Sequence, residues 1–90
     1  MKVYIFMLKK FYVQNGVDLP CAINNDDMKV FKSFEDADMY RSDLFEEMKD
    51  QAGIHFKREE IHTKKEWNFL ALHFMNGSRF VFEIIEKELL

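Results

Sequence analysis

Residues 66–87 read EWNFLALHFMNGSRFVFEIIEK, two apolar, aromatic-rich runs either side of Asn76-Gly77. An Asn-Gly pair in that setting is the strongest short-range signal for a β-hairpin with a two-residue type I′ turn. Both central residues of such a turn need φ > 0, which glycine adopts freely and asparagine tolerates. With Asn76-Gly77 as the turn, opposed residue numbers sum to about 153. That register puts Trp67, Phe69, Ala71, His73 and Met75 on one face with Phe80, Phe82 and Ile84. The other face carries Leu70, Leu72, Phe74, Val81 and Ile85, interrupted by Asn68, Arg79, Glu83 and Lys87. Both faces are apolar, whereas a hairpin at a solvent boundary alternates apolar and polar positions.

Upstream, the stretch from Val3 to Val13 is apolar at nearly every position except Lys9 and Lys10. Val3, Ile5 and Met7 fall on one side of a strand, and Tyr4, Phe6 and Leu8 on the other. A second Asn-Gly, at Asn15-Gly16, predicts another hairpin turn. Its return strand, about Val17 to Ile23, contains Pro20, which cannot donate to a ladder and so marks an edge or a break. Asn24, Asn25, Asp26 and Asp27 form a turn by composition. A short strand from Met28 to Phe31 then runs into the clearest helix start in the chain. Ser33-Phe34-Glu35-Asp36 fits the [ST]-x-x-[DE] capping pattern, with acids in the first turn.

From Phe34 the residues are good helix formers until Gly53, the expected C′ position. Ala37, Tyr40, Leu44 and Met48 make an apolar stripe flanked by Phe34, Phe45 and Ala52. The opposite side is acidic: Glu35, Asp36, Asp38, Asp43, Glu46, Glu47 and Asp50, opposed only by Arg41 and Lys49. Arg41 projects inside the apolar stripe near Leu44 and Phe45, and is expected to run along the helix edge to a carboxylate at the rim, the alternative being a polar contact across an interface. After Gly53 a short strand is expected over Ile54 to Arg58, followed by a polar stretch from Glu59 to Lys65. The fold class is therefore α+β. An antiparallel sheet of about five to six strands, in β-β-β-α-β-β-β order, carries one amphipathic helix on one face. The chain reads as a single domain, residues 1–90.

Composition narrows the function classes. Hydrophobic residues make up 48% of the chain and aromatic residues 16%, which excludes a disordered polymer. The net charge of −3 argues against nonspecific binding to nucleic acid or anionic membrane. Cys21 is the only cysteine, so there is no intrachain disulfide and no cysteine-rich metal site. The apolar run from Val3 to Leu8 is too short for a signal sequence core, and nothing approaches the ~20 apolar residues of a membrane span. These readings place the protein in the cytoplasm.

Catalytic, cofactor-binding and metal-ligating residues are not identified. His55, His62 and His73 lack ligand spacing, and the glycines at 16, 53 and 77 are isolated rather than gathered in a phosphate loop. A site combining His73, Cys21 and a carboxylate has the right chemical types but no spacing to unite them. The basic doublets Lys9-Lys10, Lys57-Arg58 and Lys64-Lys65 are separated in sequence.

One helix covers one sheet face. Leaving the other face of the hairpin in water would forfeit roughly 1.5–3 kcal/mol per large apolar side chain. A second copy packed on Leu70, Leu72, Phe74, Val81 and Ile85 resolves this, which points to a non-enzymatic interaction protein that is homodimeric through its sheet. The alternative is an acidic inhibitor or immunity-type protein, of the kind phages direct against nucleases. It would bind a basic partner through Glu35, Asp36, Asp43, Glu46, Glu47 and Asp50. A second alternative is a small enzyme or ligand-binding domain with a dimer-cleft site near Trp67, His73 and Tyr4. The helix-covered face is expected to be that of Trp67, Phe69, Phe80 and Phe82.

Overall fold

The computed structural model describes residues 1–21, 27–53, 56–63 and 68–89. Its elements are β1 (Lys2–Phe11), β2 (Val13–Gln14), β3 (Val17–Asp18), β4 (Met28–Phe31), α1 (Phe34–Ala52), β5 (Phe56–Thr63), β6 (Asn68–Phe74) and β7 (Arg79–Glu88). Five strands form one sheet in the order β4-β1-β7-β6-β5, every neighbouring pair antiparallel. The β2 and β3 segments make a separate two-stranded ribbon. An antiparallel sheet with one helix on one face is the architecture the sequence predicts.

The two Asn-Gly pairs make different turns. At Asn15-Gly16 both residues have positive φ, 53° and 77°, and Gln14 faces Val17, as a type I′ turn requires. At the β6–β7 turn Phe74 N–H donates to Ser78 O (2.8 Å) and Gly77 N–H donates to Phe74 O (3.0 Å). The loop is therefore Met75-Asn76-Gly77, and of these only Gly77 has positive φ, 94°. This is a three-residue loop ending in a left-handed glycine. Asn76 contributes through its side chain instead, Oδ1 accepting from Ser78 N–H (2.9 Å).

That extra loop residue moves the register by one. Leu72 faces Phe80 and Leu70 faces Phe82. A one-residue slip turns one strand over relative to its partner. Leu70, Leu72 and Phe74 consequently share a face with Phe80, Phe82 and Ile84, while Ala71 and His73 share the other with Arg79, Val81, Glu83 and Ile85. The expected grouping was half right. Phe80 and Phe82 do lie on the helix-covered face, but Ala71 and His73 are on the opposite one. Trp67 lies outside the described residues.

The helix forms as its capping signals dictate. Ser33 is the N-cap, its Oγ accepting from Asp36 N–H (3.2 Å), and Gly53 ends the helix at φ 55°, donating its N–H to Lys49 O. Ala37, Arg41 and Phe45 form the most buried row of α1. They meet Phe6, Leu8, Leu72, Phe82 and Ile84 from the sheet, with Tyr40, Leu44 and Met48 packed around them. Edge-on ring contacts knit the layers, Tyr40 to Phe6 at 5.2 Å and Phe45 to Phe82 at 5.4 Å. Arg41 pairs with the partly exposed Asp38 one helical turn earlier, as expected, but is itself buried, only 5% exposed. Its place in the i, i+4 row with Ala37 and Phe45 puts its stem in the core, not along the rim.

Two strand boundaries also differ. The return strand after Asn15-Gly16 stops at Asp18. Leu19 N–H still donates to Tyr12 O (2.9 Å), and Pro20, next in line, has no N–H to continue. Ile23 and the turn at 24–26 lie outside the described residues. Residues 59–63, polar in sequence, are strand: β5 pairs with β6 from Phe56 to Thr63, with an irregularity between Phe56 and Arg58. Pairing to an apolar neighbour strand overrides the local composition. Ile54, His55 and residues 64–67 lie outside the described residues.

Ser78 ties the ribbon to the hairpin. It is buried, and its Oγ accepts the N–H of Val13 (2.9 Å). Ser78→Ala leaves that N–H without its acceptor and is expected to cost about 1–3 kcal/mol. Denaturant unfolding of the variant measures it, and an unchanged midpoint would show that the ribbon contributes nothing.

Candidate interaction surfaces and cavities

The sheet face opposite α1 is built by register, row by row. Val30, Ile5 and Ile85 align across β4, β1 and β7, and Met28, Met7 and Glu83 form the next row. Lys9, Val81 and Ala71 follow, then Phe11, Arg79 and His73. Val30 is 65% exposed, Met28 42% and Ile85 36%, while Ile5, Met7 and Val81 are half-buried. Lys9 Nζ and Glu83 Oε2 form an ion pair across two of these rows. Among the described residues α1 is the only helix, and it packs on the other face.

The expected interface set therefore divides. Val81 and Ile85 lie on this open face, as anticipated. Leu70, Leu72 and Phe74 do not: Leu72 is completely buried, and Leu70 and Phe74 pack against the helix-side core. The three-residue loop is the physical reason, because it inverts β6 relative to β7. Ile5, Met7, Met28 and Val30 take their place, brought there by the pairing of β1 with β4 and β7. The alternation of Val3, Ile5 and Met7 had already put them on one side of β1; only the strand order was missing.

The helix acids Glu35, Asp36, Asp43, Glu46, Glu47 and Asp50 are all exposed. The basic residues of α1 do not offset them. Arg41 pairs with Asp38, and Lys49 reaches Glu59 on β5 (3.2 Å). Exposure of this kind is what any solvated amphipathic helix shows, so the face by itself carries no partner.

Tyr4 and His73 are far apart. Tyr4 lies on the helix face near the start of β1, against Phe34 (5.9 Å). His73 aligns with Arg79 and Phe11, seven residues further along β1 and on the opposite face. Seven strand residues span roughly 23 Å, so Tyr4 and His73 of one chain do not share a site, and Trp67 lies outside the described residues. Cys21 is exposed and lines neither of the two cavities that His73 lines. Lys9 and Lys10 point to opposite faces, Lys9 toward Glu83 and Lys10 toward Asp27 (3.7 Å) and the ring of Phe80 (5.8 Å). Among the described residues no three His, Cys, Asp or Glu side chains gather to hold a metal ion, and no helix is long and apolar enough to cross a membrane.

Tyr4 OH donates to Glu86 Oε1 (3.2 Å). Desolvation first, then this hydrogen bond and the charge of Glu86, raise the phenol above its ordinary pKa of 10.0. A raised folded-state pKa favours the protonated phenol, so its contribution is complete below pH 10 and is lost as pH rises through the folded value. Tyr4→Phe is expected to flatten the fall in stability above pH 10 in a pH series of thermal melts. An identical alkaline slope in both proteins would refute this.

Cavities cluster at the end of the sheet where the β6–β7 turn meets the ribbon. On the helix side, beyond the reach of α1, Tyr12, Phe74, Met75 and Phe80 line about 420 Å³. The Phe74 and Phe80 rings meet edge-on at 4.8 Å and Tyr12 flanks Phe80 at 5.9 Å. On the open side Phe11, Asp18, His73 and Arg79 line about 460 Å³, with a smaller recess of about 240 Å³ beside Lys57 and His73. The turn chemistry of Asn76, Gly77 and Ser78 creates this end of the molecule. Comparison of the chain with protein-family models, with curated proteins and with solved structures finds no match.

Proposed function

We propose that this protein is a non-enzymatic interaction module that pairs with a second copy of itself through the sheet face opposite α1. The observation that carries the reading is the apolar row Val30–Ile5–Ile85, adjoined by Met28, Met7 and Val81, on a face with no helix among the described residues. The strands hold 4, 10, 10, 7 and 8 residues across the sheet, which at ~3.3 Å by ~4.8 Å each give a whole face of roughly 600 Å². That is the lower end of the area per partner in a stable interface. A two-fold axis through the face sets each apolar row against its own copy, and sheets stacked this way pack ~10 Å apart at a shallow angle. The Lys9–Glu83 pair lies inside the patch, where mutual neutralisation lets it be covered without leaving a lone charge.

Light scattering coupled to size exclusion tests the reading. The expected mass at micromolar concentration is twice that of the 90-residue chain. A monomer at all concentrations up to ~100 μM, the range of weak association, would overturn it.

A further inference from the structure

At the ribbon end of the same face, beyond the apolar rows proposed to self-associate, a cavity of about 460 Å³ carries a chemistry of its own. Its floor is the last row of the sheet, Phe11–Arg79–His73, in which the three residues stand side by side on one face. Its wall is the β2–β3 ribbon, held over the sheet end by Ser78 and closed by the Leu19–Tyr12 hydrogen bond. The Arg79 guanidinium carbon lies over the Phe11 ring, 4.4 Å from its centroid, a cation–π contact. A ring contact of this kind does not use up the N–H donors of the guanidinium, which suit a carboxylate.

Arg79 and Lys87 stand apart from the other basic residues of the β1–β7 pair, and of the two only Arg79 lines this cavity. Lys2, Lys9 and Lys10 each meet a carboxylate, at Glu86, Glu83 and Asp27. Arg79 is exposed and forms no ion pair among the described residues. His73, in the same row, already has a partner of its own. The ribbon brings Asp18 to the same cavity, and Leu19 and Val13 add apolar wall. One guanidinium, one carboxylate and an apolar side in a space of this size complement a small zwitterion.

We propose that this cavity binds a free α-amino acid with an apolar side chain. Its carboxylate is held by the Arg79 fork, its ammonium faces Asp18, and its side chain lies against the apolar wall. A lone carboxylate would be repelled by Asp18, and a lone amine by Arg79. A molecule bearing both charges satisfies both groups, and a free amino acid does so where a single peptide terminus carries only one.

Proton–nitrogen correlation spectra of the full chain test this, with L-phenylalanine, 3-phenylpropionate and 2-phenylethylamine titrated in turn. L-Phenylalanine is expected to give saturable shifts of the Arg79 Nε–Hε and Gly77 amide signals, at least tenfold tighter than either single-charge analogue. Arg79→Gln is expected to weaken L-phenylalanine at least tenfold. Asp18→Asn is expected to bring it down to the affinity of 3-phenylpropionate. Absence of saturation by all three compounds, equal affinities across the series, or an Arg79→Gln variant that binds as the parent does would each overturn the proposal. Should Arg79→Gln fail to fold, the ligand series on the parent protein and Asp18→Asn decide it.

Discussion

Truncating Phe82 to alanine is expected to destabilise the protein by about 3–5 kcal/mol, the cost of deleting a fully buried phenylalanine. Phe82 has no exposed surface and sits at the middle of β7, the central strand of the sheet. Phe45 meets it edge-on from α1 at 5.4 Å, and Phe6 lies beside it on β1 at 6.5 Å. Removing the ring leaves a cavity where helix and sheet are joined, between partners fixed by both layers. A domain of this length has a total stability of roughly 5–13 kcal/mol, so the variant should sit close to its unfolding transition. Ile85→Ala, three residues along the same strand but on the opposite face, removes a side chain already 36% exposed in the single chain. In the monomer its cost is expected to stay below about 1.5 kcal/mol, since little of the side chain leaves a packed environment. Chemical denaturation of dilute samples measures both. Equal losses at the two positions would mean that α1 does not distinguish the faces, and the assignment of the core would fail.

The helix was legible because every local signal agreed. Ser33, the acids behind it, the 34–52 run without glycine or proline, and Gly53 all point to one element, and the structure places α1 at Phe34–Ala52. The hairpin was legible as a hairpin, yet its register was not. Asn76-Gly77 satisfies the local rule for a two-residue turn as well as Asn15-Gly16 does, and only the latter obeys it. What decides between them is tertiary. Ser78 is drawn into the protein by Val13 N–H, and the three-residue loop puts Leu70, Leu72 and Phe74 beneath α1 with Phe80 and Phe82. The two-residue register would have set Ala71 and His73 there instead, a methyl and an imidazole where leucines fill the core.

The same slip redistributes the interaction surface. With β6 inverted, the open face loses three large apolar residues of the hairpin and keeps Val81 and Ile85. Its apolar character now rests on β1 and β4, where alternation was readable but strand order was not. β1 and β7 pair along ten residues, which brings Ile5 against Ile85 at the centre of the sheet. The shortage of cover inferred from the hairpin alone thus survives, moved two strands over. The ligand cavity had no sequence signal at all. Phe11, Asp18 and Arg79 are brought together by a long-range strand pairing and by the ribbon, and no spacing along the chain announces that.

Ile85→Lys is the sharper test of self-association. Ile85 lies in the central apolar row with Ile5 and Val30. A lysine there can extend to solvent in a free chain, because the position is partly exposed, so the fold tolerates it. Across a two-fold interface the substitution acts twice and brings two ammonium groups into the same apolar seam. At about 1–2 kcal/mol per truncated or charged anchor, the pair is expected to cost about 2–4 kcal/mol of association. This raises the dimer dissociation constant by roughly 30- to 1,000-fold. The mass by light scattering is expected to fall from dimer to monomer at concentrations where the parent is dimeric, with a circular dichroism spectrum and melt close to those of the parent. Glu47→Lys, on the exposed side of α1, changes the charge by twice as much and is expected to leave the mass at the dimer value. A dimer that survives Ile85→Lys would place the contact elsewhere. A dimer lost equally with Glu47→Lys would make net charge the cause, not the row through Ile85.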